Sequence, residues 1–222
     1  MNRLTKWLIR GFFLVWIGFL WFYAKDPFSF LALNTLLGAI PILISFHLGS
    51  KHPRAFIYWP VFIVWLLFYP NSPYLLTDLF HLTLLQPYAA QTGLLRQDPH
   101  MWTYYTLIMI SVLVCSLLGF WSLHTVSRSL ANRLGHGQTW LQLIFVCGLT
   151  LLSSVGIYIG RFLRLHTIYL LLTPNFVIQP LLKMWTPTML YFVFLMTVVQ
   201  LVGYCVVWLI TANQQSETKI TD

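Results

Sequence analysis

Residues 139–164 read TWLQLIFVCGLTLLSSVGIYIGRFLR, and the fold turns on this stretch. From Thr139 to Gly160 there is no Asp, Glu, Lys or Arg, and the run then ends on two arginines, Arg161 and Arg164. A helix needs about 20 apolar residues to cross roughly 30 Å of hydrocarbon, so this run is long enough to span a bilayer. Met101–Leu123 and Met184–Ser216 are equally free of charge. Charged residues are pushed into the gaps between such runs, and lipid is the expected solvent.

Composition agrees. The 222 residues are 58% hydrophobic and 8% charged, with a mean hydropathy of +0.74, whereas soluble domains carry about 25% charged residues. No segment outside the apolar runs is long enough for a separate soluble core, so residues 1–222 are expected to form one integral membrane domain. The net charge of +8 is scattered in pairs, without the basic face and neighbouring readers that nucleic acid requires. The expected partner is the lipid bilayer, not nucleic acid. Trp7, Trp21, Trp59, Trp102, Trp140, Trp185 and Trp208 fall near the ends of the runs, where amphipathic rings sit at headgroup level. Cys115, Cys147 and Cys205 lie far apart inside the runs and read as small hydrophobes. Arg3, Lys6 and Arg10 before an apolar run imitate a signal peptide. Trp21-Phe22-Tyr23-Ala24 lacks a small-x-small cleavage pattern, so an uncleaved first span is expected.

The expected fold class is all-α, a polytopic transmembrane bundle of about six spans with one or two interfacial or re-entrant helices. The spans fall at residues 7–23, 28–48, 55–69, 102–124, 140–162 and 187–211, followed by a short tail over 212–222. Arg10 can snorkel to the interface, and Pro41 is tolerable where neighbouring helices satisfy the freed carbonyl. Arg3, Lys6 and Arg10 precede the first span, Lys51 and Arg54 follow the second, and Arg128 and Arg133 follow the fourth. The positive-inside rule makes those segments, and both termini, cytoplasmic. Asp26, Asp78 and Asp98 fall on the opposite side. Arg161, Arg164 and Lys183 fall there too, against the rule, which calls for a specific partner. Leu165–Leu182 is uncharged but interrupted by Pro174, Asn175, Gln179 and Pro180, so an interfacial or re-entrant segment is expected there. Two crossings separate the segment after span three from the segment after span five. Asp78 and Arg161 therefore share a side.

Two constellations carry the polar chemistry. The third span, Ala55–Tyr69, rises only about 22 Å at 1.5 Å per residue. The chain continues Pro70-Asn71-Ser72-Pro73-Tyr74-Leu75-Leu76-Thr77-Asp78-Leu79-Phe80-His81. Ser72 followed by Pro73 reads as a helix start. In that helix Thr77, Asp78 and His81 lie on one side and Leu75, Leu79 and Leu82 on the other; a surface helix facing headgroups would show the same pattern. In the second constellation, Ser153, Gly156 and Gly160 make a small-residue face for close helix packing. Arg161 and Arg164, at i and i+3, share a stripe with Tyr158. Alone they would read as snorkelling arginines that touch lipid phosphates.

Together the constellations say more. An ionisable group inside a membrane is costly and marks a functional site by default. Asp78 is the carboxylate nearest the bilayer on the arginine side, so it pairs with Arg161. Arg164 is left over, and guanidinium binds phosphate or carboxylate bidentately. The expected site is a pocket for an anionic lipid headgroup or small anion on the non-cytoplasmic side, lined by Asn71, Tyr74, Thr77, Asp78, His81, Tyr158, Arg161 and Arg164. Asp78 and His81, at i and i+3, could give two metal ligands, with His100 or His166 on the same side, but two ligands on one helix do not make a catalytic site, which wants three, and no metal is expected. His47, His52, His124 and His136 read as interfacial. No His-Glu-x-x-His, Gly-x-Ser-x-Gly or phosphate-cradling glycine loop occurs, so no cofactor is expected and no catalytic residue is assigned.

Three functions stay open on these residues. A binding or transport protein would hold an anion in the pocket, although Asn34, Ser45, Gln142, Gln200 and the serines near Ser153 are few for an aqueous path. A membrane enzyme acting on a lipid-linked or phosphate-bearing headgroup would use Asp78 or His81 as general base and the arginines as phosphate holders. A structural or assembly protein would use the Asp78–Arg161 pair only to lock helix packing.

The strings Leu67-Phe68-Tyr69-Pro70-Asn71-Ser72-Pro73-Tyr74-Leu75-Leu76-Thr77-Asp78-Leu79 and Gly156-Ile157-Tyr158-Ile159-Gly160-Arg161-Phe162-Leu163-Arg164 resemble those of the domain of unknown function numbered 1361. That is a family of uncharacterised bacterial integral membrane proteins of about this length. The resemblance runs from Phe28 to Trp208 and implies a multi-span protein of the bacterial plasma membrane. It brings no activity or catalytic residue. In the family the stretch after the arginines usually runs Asn-Ser-Trp-Asp. Leu165-His166-Thr167-Ile168-Tyr169 departs from this, which implies that a second acidic partner for the arginines is missing here.

Overall fold

Pro70 ends the apolar run that starts at Ala55, yet the chain keeps a helical course through it. Tyr69 (φ −54°, ψ −41°) and Pro70 (φ −54°, ψ −26°) both stay in the right-handed helical region, so the backbone kinks without turning back. The computed structural model describes residues 2–49, 54–135, 137–164 and 174–220, and the backbone alone for 174–177 and 213–220. The helices are α1 (Arg3–Tyr23), α2 (Phe30–Leu48), α3 (Ala55–Phe68), α4 (Asn71–Asp78), α5 (Pro99–Gly135), α6 (Thr139–Tyr158), α7 (Pro174–Lys183) and α8 (Pro187–Ile220). A tight 3-10 stretch, Leu79–Leu85, follows α4, and a wide turn, Ile159–Leu163, follows α6.

Six segments are long and apolar enough to cross a membrane: Arg3–Tyr23, Phe30–Leu48, Ala55–Leu85, Pro99–Gly135, Thr139–Leu163 and Pro187–Ala212. The fold is an all-α helix bundle. α2 lies against α1, α3, α4 and α5, while α6 packs between α5 and α8. The outer surface is apolar: Phe22, Phe56 and Leu14 are more than three-quarters exposed. A surface of that kind suits hydrocarbon and not water. The seven tryptophans near the span ends (Trp7, Trp21, Trp59, Trp102, Trp140, Trp185 and Trp208) are all exposed. Trp65, in the last turn of α3, is fully buried and donates its indole N–H to Ser122 Oγ at 2.8 Å.

Antiparallel neighbours set the ends. Lys6 Nζ donates to Phe46 O, Ser129 Oγ to Leu48 O, and the Arg133 guanidinium sits 3.9 Å from the Tyr58 ring centroid. At the other end the Tyr104 hydroxyl accepts from Lys25 N, and His81 stacks on Phe30 at 4.2 Å. The start of α1 and the end of α8 both lie at the Leu48 end.

The structure alters several expectations. Ser72 is no helix cap: the helix already runs through Pro70 with no side-chain cap bond, and Ser72 Oγ donates 2.7 Å to Gly38 O of α2. α4 is no surface helix either, because Leu75 on one side and Asp78 on the other are both fully buried. α5 does not stop near His124. Nothing before Gly135 breaks it, and its extra turns bury Val126, Leu130 and Ala131. α7, at ten residues, rises about 15 Å and is too short to cross. The remainder of the expected re-entrant segment (165–173), with His166, lies outside the described residues, as do Lys51, His52 and His136.

Candidate functional site

The prolines that kink α3 into α4 rearrange the hydrogen bonds there. Ser72 N donates to Tyr69 O rather than to Phe68 O, and Pro73 has no N–H to offer. The orphaned Phe68 carbonyl accepts from Asn71 Nδ2 at 3.0 Å. Asn71 therefore serves the kink and not the site, contrary to expectation.

Opposite the kink, α6 presents its small-residue face. A Cβ on Gly156 would come within 2.8 Å of Pro70 Cγ, and one on Gly160 within 3.4 Å of the Tyr74 ring. Ser153, a turn earlier, is buried. With no side chain on α6 at these two glycines, the end of α6 closes onto Pro70 and the Tyr74 ring, and Arg161 lies across α4.

The Arg161 guanidinium makes a compact set of contacts. Nη1 donates to Asp78 Oδ1 at 3.2 Å and to Tyr74 OH at 3.4 Å, and Nη2 donates to Thr77 O at 3.0 Å. Asp78 Oδ2 accepts from Asn34 Nδ2 of α2 at 2.8 Å. His81 Nδ1 lies 3.2 Å from Asp78 O, 3.5 Å from Arg161 Nη2 and 3.7 Å from Asp78 Oδ1. As N–H it donates to the carbonyl; as a lone pair it accepts from the guanidinium. The Asp78 side chain is fully buried, while those of Arg161 and His81 are 21% and 26% exposed. A buried carboxylate is tolerated only when charge and hydrogen bonds compensate it, and here a guanidinium and an amide do so from two other helices.

Other expected members are placed differently. Thr77 contributes its carbonyl; its hydroxyl folds back onto Tyr74 O. Tyr158 turns away to Phe162 and to Phe192 of α8, with ring centroids at 4.8 and 5.7 Å. The cause is the wide turn that begins at Ile159: it adds about one residue to the turn and rotates Arg161 off the Tyr158 stripe. Arg164 ends that turn in the left-handed conformation (φ 52°), exposed, with no hydrogen bond or ion pair among the described residues.

Asn34 is the member that sequence reading left among scattered polar residues. Its signal was modest: an amide one turn into an otherwise uncharged span. Among the described residues, no three His, Cys, Asp or Glu side chains gather as metal ligands. His100 instead packs its ring on Tyr104 at 4.8 Å.

The model of the family described as "Protein of unknown function (DUF1361)" matches residues 33–202, and the chain belongs to that family. That span begins just before Asn34 and includes every residue of the cluster. No curated protein and no solved structure matches the chain.

Proposed function

We propose that the chain is a multi-pass protein of the bacterial plasma membrane that holds an oxyanion at the non-cytoplasmic end of its bundle. The ligand group is a phosphate, borne by a lipid headgroup or by a small free anion. Arg164 is its principal contact and the open edge of Arg161 its second. Basic residues at the Leu48 end (Lys6, Arg10, Arg54, Arg128 and Arg133) orient that end, and both termini, to the cytoplasm.

The observation that carries this reading is the contrast between the two arginines. Arg161 has Asp78, Thr77 O and Tyr74 as partners, whereas Arg164, three residues on, is exposed and has none among the described residues. An arginine at headgroup depth on the side that the positive-inside rule disfavours is well matched by an oxyanion.

The test is thermal unfolding in nanodiscs of phosphatidylcholine, with phosphatidylglycerol or inorganic phosphate added. Stabilisation by phosphatidylglycerol alone assigns the site to a headgroup; stabilisation by phosphate alone assigns it to a free anion. Either should vanish in Arg164→Gln. No stabilisation by either, or equal stabilisation of Arg164→Gln, contradicts the reading.

The satisfaction of Arg161 supports a second reading, in which the Asp78–Arg161 pair fixes the register of α2, α4 and α6 and binds nothing. In that case Arg164→Gln is silent in cells and only the buried pair matters.

A further inference from the structure

α1 lies against α2, and it meets α5 where Trp16 Nε1 donates to Ser111 Oγ at 3.0 Å. One turn on from that bond, toward the Leu48 end, a groove of about 250 Å³ opens between α1 and α5. Thr5, Leu8, Ile9 and Phe12 of α1 line one wall, and Val114 and Leu118 of α5 line the other. Thr5 is the one polar residue among them, and its hydroxyl is turned back onto Asn2 Oδ1.

Two cations stand at the Leu48 end of this groove. Lys6 and Arg10 directly follow Thr5 and Ile9 on α1. Lys6 Nζ and the Arg10 guanidinium lie 5.7 and 5.8 Å from the Phe46 ring centroid, and Arg10 also stacks on the Trp7 ring at 4.8 Å. Phe46 in turn packs edge-on against Trp121 at 6.0 Å, three residues beyond Leu118 on α5. The cations and the α5 wall thus share one aromatic layer. Helical side chains lean toward the N-terminus of their helix, so both charges rise from the first turns of α1 to headgroup level. Neither has a carboxylate partner among the described residues: Lys6 donates to Phe46 O, Arg10 makes no hydrogen bond, and Asp26, Asp78 and Asp98 lie at the opposite end of the bundle.

The dimensions limit what the groove can hold. From Thr5 to Phe12 it runs about 10 Å along α1, no longer than a helix is wide. Its walls are Leu, Ile, Val and Phe, without the small residues that let a second helix approach. Its volume is below the roughly 300–1,000 Å³ of small-molecule sites. An acyl chain is thin and flexible enough to enter. A lipid with one phosphodiester would leave one of the two cations unmatched, whereas a pair of linked phosphodiesters reaches both across the shared Phe46 ring. Basic pockets between transmembrane helices bind cardiolipin headgroups in this way.

We propose that the end of the α1–α5 groove is a cardiolipin site, with the paired phosphodiesters on Lys6 and Arg10 and one acyl chain between Leu8 and Leu118. It goes beyond the oxyanion held at the Arg164 end and does not depend on it.

The test is native mass spectrometry of the full-length protein in mild detergent, titrated with cardiolipin or with phosphatidylglycerol at equal phosphate. The protein should retain one cardiolipin, about tenfold more tightly than phosphatidylglycerol. Leu8 is 63% exposed, so Leu8→Trp folds; it fills the groove, leaves both charges in place and should weaken cardiolipin binding about tenfold. Lys6→Gln with Arg10→Gln should weaken it at least as much. Arg54→Gln, an exposed arginine at the same end but off the groove, should bind as wild type does, and so should Arg164→Gln, which separates this site from the other. No retained cardiolipin, equal retention of phosphatidylglycerol, or wild-type binding by Leu8→Trp would overturn the proposal. So would loss of binding in Arg164→Gln. A dimer that Leu8→Trp abolishes would give the groove to a second copy of the chain and overturn it too.

Discussion

Arg161 donates to the Asp78 carboxylate at 3.2 Å from 83 residues away in the chain, and the same guanidinium bonds the Thr77 carbonyl one residue before that carboxylate. A single side chain thus ties the end of α6 to both the charge and the backbone of α4, while Asn34 ties the same carboxylate to α2. Three helices depend on one buried anion, and the first predictions follow from its burial.

Removing either partner should not be equivalent. Asp78 is fully buried, whereas Arg161 is partly exposed and can turn outward from the bundle. Arg161→Gln strands the buried charge and should cost about 3–5 kcal/mol of stability, with Asp78→Asn costing less. The double variant should cost less than the sum of the two. A double-mutant cycle from reversible unfolding in mild detergent measures this, and strict additivity would show that the pair is not coupled.

Asn34→Leu keeps volume but removes the amide that faces Asp78 Oδ2. Hydrogen bonds to charged groups contribute about 1.5–3 kcal/mol, so a loss of that size is expected. The same unfolding measurement reads it, and a loss below a few tenths would mean that the carboxylate finds another donor.

The close approach of α6 to α4 predicts a contrast between two glycines of one helix. Gly156→Val would drive a side chain into Pro70 and should separate Arg161 from Asp78. Gly148 has open space where a Cβ would stand, so Gly148→Ala should be neutral or stabilise by up to about 1 kcal/mol. Equal effects at the two positions, compared by thermal unfolding, would be inconsistent with this packing.

The two tyrosines beside the arginines should also behave differently. Tyr74→Phe removes a hydroxyl that accepts from Arg161, and it should weaken whichever stabilisation, by phosphatidylglycerol or by phosphate, the wild type shows in nanodiscs. Tyr158→Phe alters a ring packed against α8 and should leave that stabilisation unchanged.

The spans were readable from the chain because hydrocarbon forbids charge over about 20 residues, and such runs stand out at any register. The meeting of Asp78 and Arg161 was readable for a similar reason: an even number of crossings returns the chain to the same side. The rest needed packing. Ser72 resembles a cap in sequence, but whether a helix starts or only kinks at Pro70 depends on what α2 offers, here the Gly38 carbonyl. Periodicity puts Tyr158 with Arg161, and one wide turn rotates them apart. A lone amide such as Asn34 shows its polarity in the sequence but not the direction it faces.

The most direct measurement is phosphorus–nitrogen dipolar recoupling by solid-state NMR, on protein with ¹⁵N-labelled arginine in phosphatidylglycerol bilayers and in phosphatidylcholine bilayers bathed in inorganic phosphate. In one of these preparations, phosphorus should dephase a guanidinium resonance at hydrogen-bonding distance, and Arg164→Lys should abolish that signal while the Arg161 resonance stays in place. A dephasing pattern unchanged by Arg164→Lys, or none in either preparation, would contradict an oxyanion held at this end of the bundle.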